Sequence, residues 1–310
     1  MPTFDHAVAS LPEHPRHGQT PFGAPMVIHA TTAETGGALG AWTTITPPGR
    51  GPLGHTHTRE IELLLVLEST YRFVRGDDEF DAPPGTVVAL PPHVPHQWSN
   101  AGETTGRMLV LVAPGGCEQL FLDIAAGDIR DHAAIARMEA GLGIANAHTV
   151  AVGIGDPVDA ARAPFPRAVV SFPTDPPNGR TARGDDVLVQ LRSAQTGGQL
   201  GAWVASIEPG TGPSWHTHSR ETEVFVVVSS TFRFWCGDQS FEAGPGSVVA
   251  LPPHVPHQWF NIGEEPGRLF AVVTPAAFEQ MFIDFHAMPG EISDEYIAEV
   301  EAGLGVTDGR

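Results

Sequence analysis

The sequence has 310 residues, of which 36 are acidic and 17 are basic, giving a formal net charge of -19. This charge disfavours electrostatic binding to nucleic acids and to anionic membranes. All the basic residues are arginines, since the sequence contains no lysine, which excludes chemistry that needs a lysine nucleophile or Schiff base.

The first 20 residues are rich in proline and histidine, and we expect an arm that is either disordered or braces the second half of the chain. They lack the basic start and apolar stretch of a secretory signal, and no later apolar run reaches membrane-spanning length, about 20 residues. The two cysteines, Cys117 and Cys236, indicate neither a disulfide framework nor a cysteine metal site. These features predict a cytoplasmic protein with no membrane or nucleic-acid partner.

Short apolar segments separated by Gly, Pro and Asp occupy most of each half of the chain. In the first half they are GAWTTI, LLLVL, YRFV, TVVAL and MLVLV. Many short strands between turn signals are typical of β-sandwiches and barrels. We therefore predict an all-β fold in each half.

A helical period follows the last strand of each half, after a candidate capping residue. The caps are Asp131 and Ser293, and the apolar positions recur every three or four residues. Those positions are Ile135, Met138 and Leu142 in the first half, and Ile297, Val300 and Leu304 in the second. A short α-helix is predicted after each barrel.

The two halves are copies of one another. HTHTREIELLLVLEST begins at position 55 and HTHSRETEVFVVVSST at position 216, and the histidines at 96 and 257 are separated by the same 161 residues. Two copies at so long a period indicate a duplicated domain rather than a solenoid. We predict an arm over residues 1–20, a first domain over 21–146, a linker over 147–180 and a second domain over 181–310.

A group of histidines and one acid in each copy has the spacing of a metal site. His55 and His57 are two residues apart, so on a strand they point to one face. Glu62 is an odd number of residues further on, which requires a bulge or kink in residues 58–60 to return it to the ligand side. His96, after the next buried strand, would complete the set. The second copy supplies His216, His218, Glu223 and His257.

Three imidazoles and one carboxylate suit several divalent transition metals. The candidates are Fe, Ni, Cu, Co, Mn and Zn, and the set leaves one or two coordination positions open. We therefore predict one metal ion in each domain, its identity being open.

Both copies resemble cupin domains. The first cupin motif begins at Gly49 or Gly210, contains the His-x-His pair and the glutamate, and has Ser69 or Ser230 in place of its closing glycine, which we expect to alter a turn without affecting a ligand. The second motif matches Gly85, Pro91, His96 and Asn100, and again Gly246, Pro252, His257 and Asn261. His93 and His254 replace its middle glycine and are interpreted as loop residues, since histidine tolerates positive φ better than most residues. The resemblance implies two tandem jelly-roll (double-stranded β-helix) barrels.

Several neighbours of these motifs have more than one interpretation. Glu60 and Glu221 could ligate, act as acid or base, or be exposed carboxylates paired with Arg59 and Arg220. Inward-facing candidates for the pocket walls are Leu64, Val66, Phe225 and Val227, and aromatic candidates that could equally be plain core are Phe73, Phe234, Trp98 and Trp259. Glu68 has no acidic counterpart at Ser229, which suggests that the two pockets differ.

The PHQW segments, glycine-rich tails and helix after each barrel are most similar to bicupins of the quercetin 2,3-dioxygenase-like group. That resemblance implies a metal-dependent dioxygenase that cleaves an enol- or phenol-type planar aromatic substrate with dioxygen. It also implies that Glu62 and Glu223 both ligate the metal and accept the substrate proton. The alternatives are a redox-silent isomerase, cyclase, epimerase or decarboxylase, and a non-catalytic binding or storage protein. Monomer and homodimer both remain open.

Overall fold

A computed structural model describes residues 3–75, 78–127, 129–146 and 163–309. The chain forms two compact units: residues 16–174, here called the first domain, and residues 1–15 with 175–310, here called the second domain. Residues 147–162 of the predicted linker lie outside the described residues. Within the described part of the chain, no helix is long and apolar enough to cross a bilayer.

Strands predominate in both domains. Up to residue 174 the elements are β1 (Val8–Ser10), β2 (Arg16–Gln19), β3 (Pro25–Ala30), β4 (Gly40–Thr46), β5 (His55–His57), β6 (Ile61–Glu68), β7 (Tyr71–Arg75), β8 (Asp78–Ala82), β9 (Val87–Leu90), β10 (Gln97–Asn100), β11 (Gly106–Ala113), α1 (Glu118–Gly127), α2 (His132–Gly141), β12 (Ile144–Asn146) and β13 (Val169–Ser171). From residue 175 they are β14 (Gly179–Arg180), β15 (Asp186–Leu191), α3 (Ser193–Thr196), β16 (Gly201–Ile207), β17 (His216–His218), β18 (Thr222–Val227), β19 (Phe232–Cys236), β20 (Gln239–Ala243), β21 (Val248–Leu251), β22 (His257–Asn261), β23 (Gly267–Thr274), α4 (Glu279–Ala287), α5 (Asp294–Gly303) and β24 (Val306–Asp308).

Each domain is built from antiparallel sheets that enclose one core, which confirms the predicted tandem jelly-roll barrels. The first domain has a seven-stranded sheet in the order β13-β9-β6-β11-β4-β3-β2, a three-stranded sheet β10-β7-β8 and a two-stranded sheet β12-β5. The second has a seven-stranded sheet in the order β1-β21-β18-β23-β16-β15-β14 and a five-stranded sheet β20-β19-β22-β17-β24. The seven-stranded orders are the same when each strand is replaced by its copy.

The outermost strand of each large sheet comes from a distant part of the sequence. Val8–Ser10 of the N-terminal arm pairs with β21, so this part of the arm braces the second domain. Val169–Ser171, within the predicted linker, pairs with β9 of the first domain. Each segment thus covers a sheet edge that would otherwise expose unpaired backbone groups.

The barrel interior follows from the two-residue period of the strands. Leu64 and Val66 share the face of Glu62 on β6, and they pair in register with Val110 and Met108 of β11. All four belong to one buried core cluster. Fully burying side chains of this kind contributes roughly 1.5–3 kcal/mol each. The inward faces of Phe225 and Val227 lie in the equivalent core of the second domain.

The predicted helices are present, and a further helix precedes each of them. Asp131 caps α2 by accepting hydrogen bonds from two backbone amides, and Ser293 caps α5 in the same way through one. The preceding helices α1 and α4 were not predicted. Their sequences lack a capping signal, since α4 begins after Phe278 with no side-chain cap, and their first residues bind elsewhere. Glu118 accepts hydrogen bonds from Thr32 instead.

Candidate metal centres

The structure brings the four candidate ligands of the first domain together at one end of the barrel. His55 and His57 lie on β5, and Glu62 lies near the start of β6. Residues 58–60 carry the chain from the two-stranded sheet to the seven-stranded sheet, which is the predicted kink. His96 lies beside His55, and their backbones exchange hydrogen bonds of 3.0 and 2.9 Å.

The side chains of each quartet converge on one point. Within each quartet, one ligand atom per residue lies within 4.8 Å of every other. His96 Nε2 lies 3.1 Å from Glu62 Oε2. In the second domain, Glu223 Oε2 lies 3.1 Å from His257 Nε2 and 3.5 Å from His218 Nε2. Ligand atoms that share one metal ion at about 2.0–2.2 Å would be separated by similar distances.

The donor atoms themselves need a partner that the protein does not supply. Nε2 of His57, His96 and His218 and Oε2 of Glu62 are buried without a hydrogen bond in the described residues. Unpaired buried polar atoms are costly, and a divalent cation would satisfy all of them at once. Each domain therefore carries a His/Glu metal-binding cluster whose donor set fits Fe, Ni, Cu, Co, Mn or Zn.

Backbone carbonyls fix the tautomer of two histidines in each cluster. His55 Nδ1 lies 2.8 Å from Leu53 O, and His96 Nδ1 lies 2.9 Å from Val94 O. Because a carbonyl can only accept, each Nδ1 carries the proton and leaves Nε2 free to ligate. The same contacts recur in the second domain between Nδ1 of His216 and Ser214 O and between Nδ1 of His257 and Val255 O, both at 2.8 Å.

The electrostatics of the cluster favour the ligating forms of Glu62 and His55. Burial raises the pKa of Glu62, but the neighbouring imidazoles, led by His96, outweigh it and hold that pKa at about 2. Burial lowers the pKa of His55 to about 3, so this imidazole is neutral at neutral pH. In the second domain, burial lowers the pKa of His218 while Glu223 and Glu221 raise it to about 9, so binding of a cation there must release a proton.

Glu60 and Glu221 are not exposed, so that interpretation of them is wrong. Each is 1% exposed. Glu60 Oε1 accepts a hydrogen bond of 2.9 Å from Arg59, while its Oε2 lies 3.6 Å from His57 Nδ1. Neither glutamate belongs to a ligand quartet. They lie behind the clusters, on the side of a histidine that faces away from the ligand atoms.

The residues that replace the two motif glycines keep the glycine-type backbone. Ser69 and Ser230 have φ values of 69° and 67°, so the turn is retained rather than altered. The Ser69 hydroxyl donates to Asn100 Oδ1 at 2.8 Å. His93 and His254 have φ values of 63° and 65°, and the His93 amide donates to the carbonyl of His57. Both histidines are thus loop residues outside the quartets.

One pair of residues beside the clusters escaped the sequence reasoning. The Phe278 ring lies against His218 with 4.9 Å between ring centroids. Cys117, 161 residues earlier, holds the equivalent position, and its thiol has a pKa raised well above the usual range by burial and by the Glu62 and Glu60 carboxylates. The constant repeat offset pointed to this pair. Its position beside the ligands depends on the fold.

Glu68 does not distinguish the two pockets. Its side chain is 55% exposed and forms an ion pair of 3.4 Å with Arg107 on the outside of the barrel. The expectation that it signals different pockets is therefore not supported at this residue. The aromatic candidates Phe73, Trp98 and Phe234 are buried in the barrel cores.

Comparisons with known proteins agree with this architecture. A family model described as "Cupin domain" matches residues 42–112 and 203–273. Protein SchB of Streptomyces halstedii is 31% identical over 110 residues, which cover 35% of this chain and 78% of that protein.

The solved structures that resemble the chain share its fold at low sequence identity. Oxalate decarboxylase of Lactobacillus farciminis, in a formate complex, has a TM-score of 0.59 and 16% identity, with 86% of each chain covered. Bacillus subtilis oxalate decarboxylase, a protein with Mn(II) centres, has a TM-score of 0.61 and 16% identity over 100% of this chain and 92% of that one. Ylba of E. coli has a TM-score of 0.61 and 11% identity over 89% of this chain and 94% of that one.

Proposed function

Because this chain belongs to the cupin family, with a cupin domain in each half, we propose that it is a metal-dependent dioxygenase. The proposed substrate is a planar aromatic molecule of enol or phenol type, such as a flavonol, in which a carbon–carbon bond is cleaved with dioxygen. The observation that carries this proposal is the immediate contact between a three-His, one-Glu cluster and an apolar, aromatic barrel interior.

The surroundings of the first cluster suit an apolar ring better than a small charged acid. Inward from Glu62, β6 presents Leu64 and Val66, which share a buried cluster with Trp42 and Trp98. Pockets of this kind gain most from apolar surface, and a few polar atoms orient the ligand. Burial of an unpaired anion among these side chains would be costly.

The chain's own residues can bind and deprotonate a hydroxyl group at the cluster. A bound transition metal would supply a Lewis acid that makes the substrate hydroxyl more acidic, together with a redox centre for dioxygen. His55 is partly exposed while His57, Glu62 and His96 are buried, so substrate would approach from the side of His55. Glu62 is ionised at neutral pH, since its pKa is about 2, and its carboxylate can receive the hydroxyl proton. We assign the same role to Glu223 in the second domain.

An oxygen-electrode assay with a panel of flavonols tests the proposal, using protein whose metal content is measured by elemental mass spectrometry. We expect both clusters to hold metal and oxygen uptake to depend on the substrate. A double variant, His55→Ala with His216→Ala, should abolish the uptake. Full metal content without oxygen uptake on any aromatic compound would exclude the dioxygenase.

A second candidate is a redox-silent reaction such as decarboxylation, in which the metal polarises a carboxylate or carbonyl. The observation that favours it is the likeness of the whole chain to oxalate decarboxylases. Release of carbon dioxide from oxalate or another small carboxylate, without net oxygen consumption, would support this candidate over the first.

We further propose that the reaction takes place in the reducing cytoplasm with a small-molecule substrate. Both cysteines, Cys117 and Cys236, are free and buried. Burial raises the pKa of Cys236 to about 11. Free, protonated thiols are compatible with a reducing compartment.

A further inference from the structure

The middle histidine of each cluster differs from the other two in the partner of its Nδ1. His55 and His96 each donate Nδ1–H to a backbone carbonyl. His57 has no such carbonyl, and the group that faces its Nδ1 is the carboxylate of Glu60, with Oε2 at 3.6 Å. His218 and Glu221 repeat this arrangement at the same distance. Both domains thus place a carboxylate three residues after the middle ligand.

These carboxylates are buried at a cost that calls for a partner. Both glutamates are 1% exposed. Oε2 of Glu60 and both carboxylate oxygens of Glu221 have no hydrogen bond within the described residues. A buried anion with unfilled acceptor sites is destabilising. The imidazole N–H of the middle ligand is the donor that would fill one of them.

We propose that Glu60 and Glu221 are positioning residues for the metal centres. Each carboxylate accepts the Nδ1–H of the middle histidine once its Nε2 ligates the metal, which fixes the tautomer and ring orientation and makes the imidazole a stronger ligand. The distance of 3.6 Å exceeds an ordinary N–H···O bond by about half an ångström, which a small rotation of the carboxylate closes. The inference rests on metal binding by the quartets and is independent of the reaction catalysed.

The two positioning carboxylates differ in their contact with an arginine. Arg59 donates to Glu60 Oε1 at 2.9 Å and to the carbonyl of Leu142 at 3.2 Å. In the second domain, Arg220 lies 3.7 Å from Glu221 Oε1, beyond hydrogen-bonding distance. The cation beside Glu60 offsets part of its charge, so Glu221 acts more strongly on its histidine than Glu60 does.

Glutamine substitutions test the proposal, because they keep the shape of the side chain and remove its charge. Glu60→Gln is made in a chain that carries His216→Ala, and Glu221→Gln in a chain that carries His55→Ala, so that each protein retains one complete quartet. The affinity for Co²⁺ alone is then measured by competition with a chromophoric chelator. We expect a loss of about 10–100-fold, larger for Glu221→Gln.

A matched control and a spectroscopic readout separate positioning from general damage. Glu68→Gln, an exposed glutamate on the strand that carries Glu62, should leave the Co²⁺ affinity unchanged. In proton NMR spectra of the Co²⁺-loaded protein, the three ligand imidazoles give shifted, exchangeable Nδ1–H signals. Glu60→Gln should move or broaden one of the three, that of His57, and leave the other two in place.

Three results decide the matter. Affinity within about threefold of the parent, with all three signals unmoved, would overturn the positioning role. Absence of Co²⁺ binding in the parent proteins would overturn it together with the metal sites themselves. The expected changes in affinity and spectrum, in a protein that consumes no oxygen with any aromatic compound, would support the positioning role and contradict only the proposed dioxygenase.

Discussion

In the second domain the ring of Phe278 lies against the metal-binding histidine His218, whereas the equivalent residue of the first domain is the much smaller Cys117. A similar difference occurs one step further into the barrel, where Phe225 of the second domain replaces Leu64. The four ligands and their backbone geometry are the same in both domains. The comparison teaches that the strands and turns set the cluster, while side chains around it set the space left for a substrate.

The opposite ends of the two barrel interiors also differ in polarity. In the first domain, the hydroxyls of Thr44 and Thr46 are buried and 2.8 Å apart, and Tyr71 lies close to both. Their counterparts are Ala205, Ile207 and Phe232, which are all apolar. The first domain thus carries a polar group at a place where the second is purely apolar.

The largest expected effect is the loss of a whole metal site, and it should be equal in the two domains. His57→Ala removes a buried ligand of the first quartet and His218→Ala the corresponding ligand of the second. Each variant should retain one of two metal equivalents by elemental mass spectrometry. An unchanged metal content in either variant would mean that the two quartets are not the sites.

A pH-dependent difference should follow from a buried histidine that only the first domain has. Burial, reinforced by the charges of Arg107 and Arg16, lowers the pKa of His29 from 6.5 to about 4. The equivalent residue is Gln190, which does not titrate. Between pH 6.5 and 4 the unfolded chain therefore binds more protons than the folded domain, so stability falls with pH, by about 3 kcal/mol at pH 4.

Denaturant unfolding as a function of pH checks this prediction. His29→Gln should remove the loss of stability between pH 6.5 and 4, while Gln190→His should introduce a similar loss in the second domain. If the wild type and His29→Gln lost stability in parallel over this range, the neutral state assigned to His29 would be wrong.

Exchange of the residues beside the clusters should alter turnover more than metal binding. Cys117→Phe fills the space beside the first cluster, and we expect a fall of about tenfold in substrate-dependent oxygen uptake, equivalent to about 1.4 kcal/mol, with unchanged metal content. Phe278→Cys, made in a His55→Ala chain, should instead increase uptake by the second domain. Equal activity of both variants and their parents would show that this pair does not control access.

The smallest expected effect concerns the polar group at the far end of the first barrel. Tyr71→Phe should cost about 1 kcal/mol, the usual contribution of one hydrogen bond. The same substitution should cost less in a chain that already carries Thr44→Ala and Thr46→Ile, since this background reproduces the second domain. Chemical denaturation of the four proteins gives the coupling, and strict additivity would show that the three hydroxyls do not interact.

Sequence reasoning was strongest where local periodicity and spacing determine the structure. The alternation of Glu62, Leu64 and Val66 sufficed to place all three on one face. The odd step from His57 to Glu62 required a break in the strand, and the chain does change sheets there. The left-handed backbone at His93 was also foreseeable, because this residue stands where the motif has glycine.

Features that depend on distant contacts were not predictable in the same way. Strand β1 pairs with β21 across most of the sequence, and no local pattern specifies that partner. Helix α1 lacks a capping signal, and its first residue, Glu118, is held by Thr32 from another loop. The burial of Glu60 arises from the direction of the kink between two sheets, which the order of residues does not reveal.

The measurement that tests the account most directly is anomalous X-ray diffraction from crystals of the protein loaded with Co²⁺. The account predicts two anomalous peaks, each about 2.0–2.2 Å from three imidazole Nε2 atoms and one oxygen of Glu62 or Glu223. Peaks located elsewhere, or bound through Nδ1 or through Glu60 or Glu221, would contradict the assignment of the two clusters.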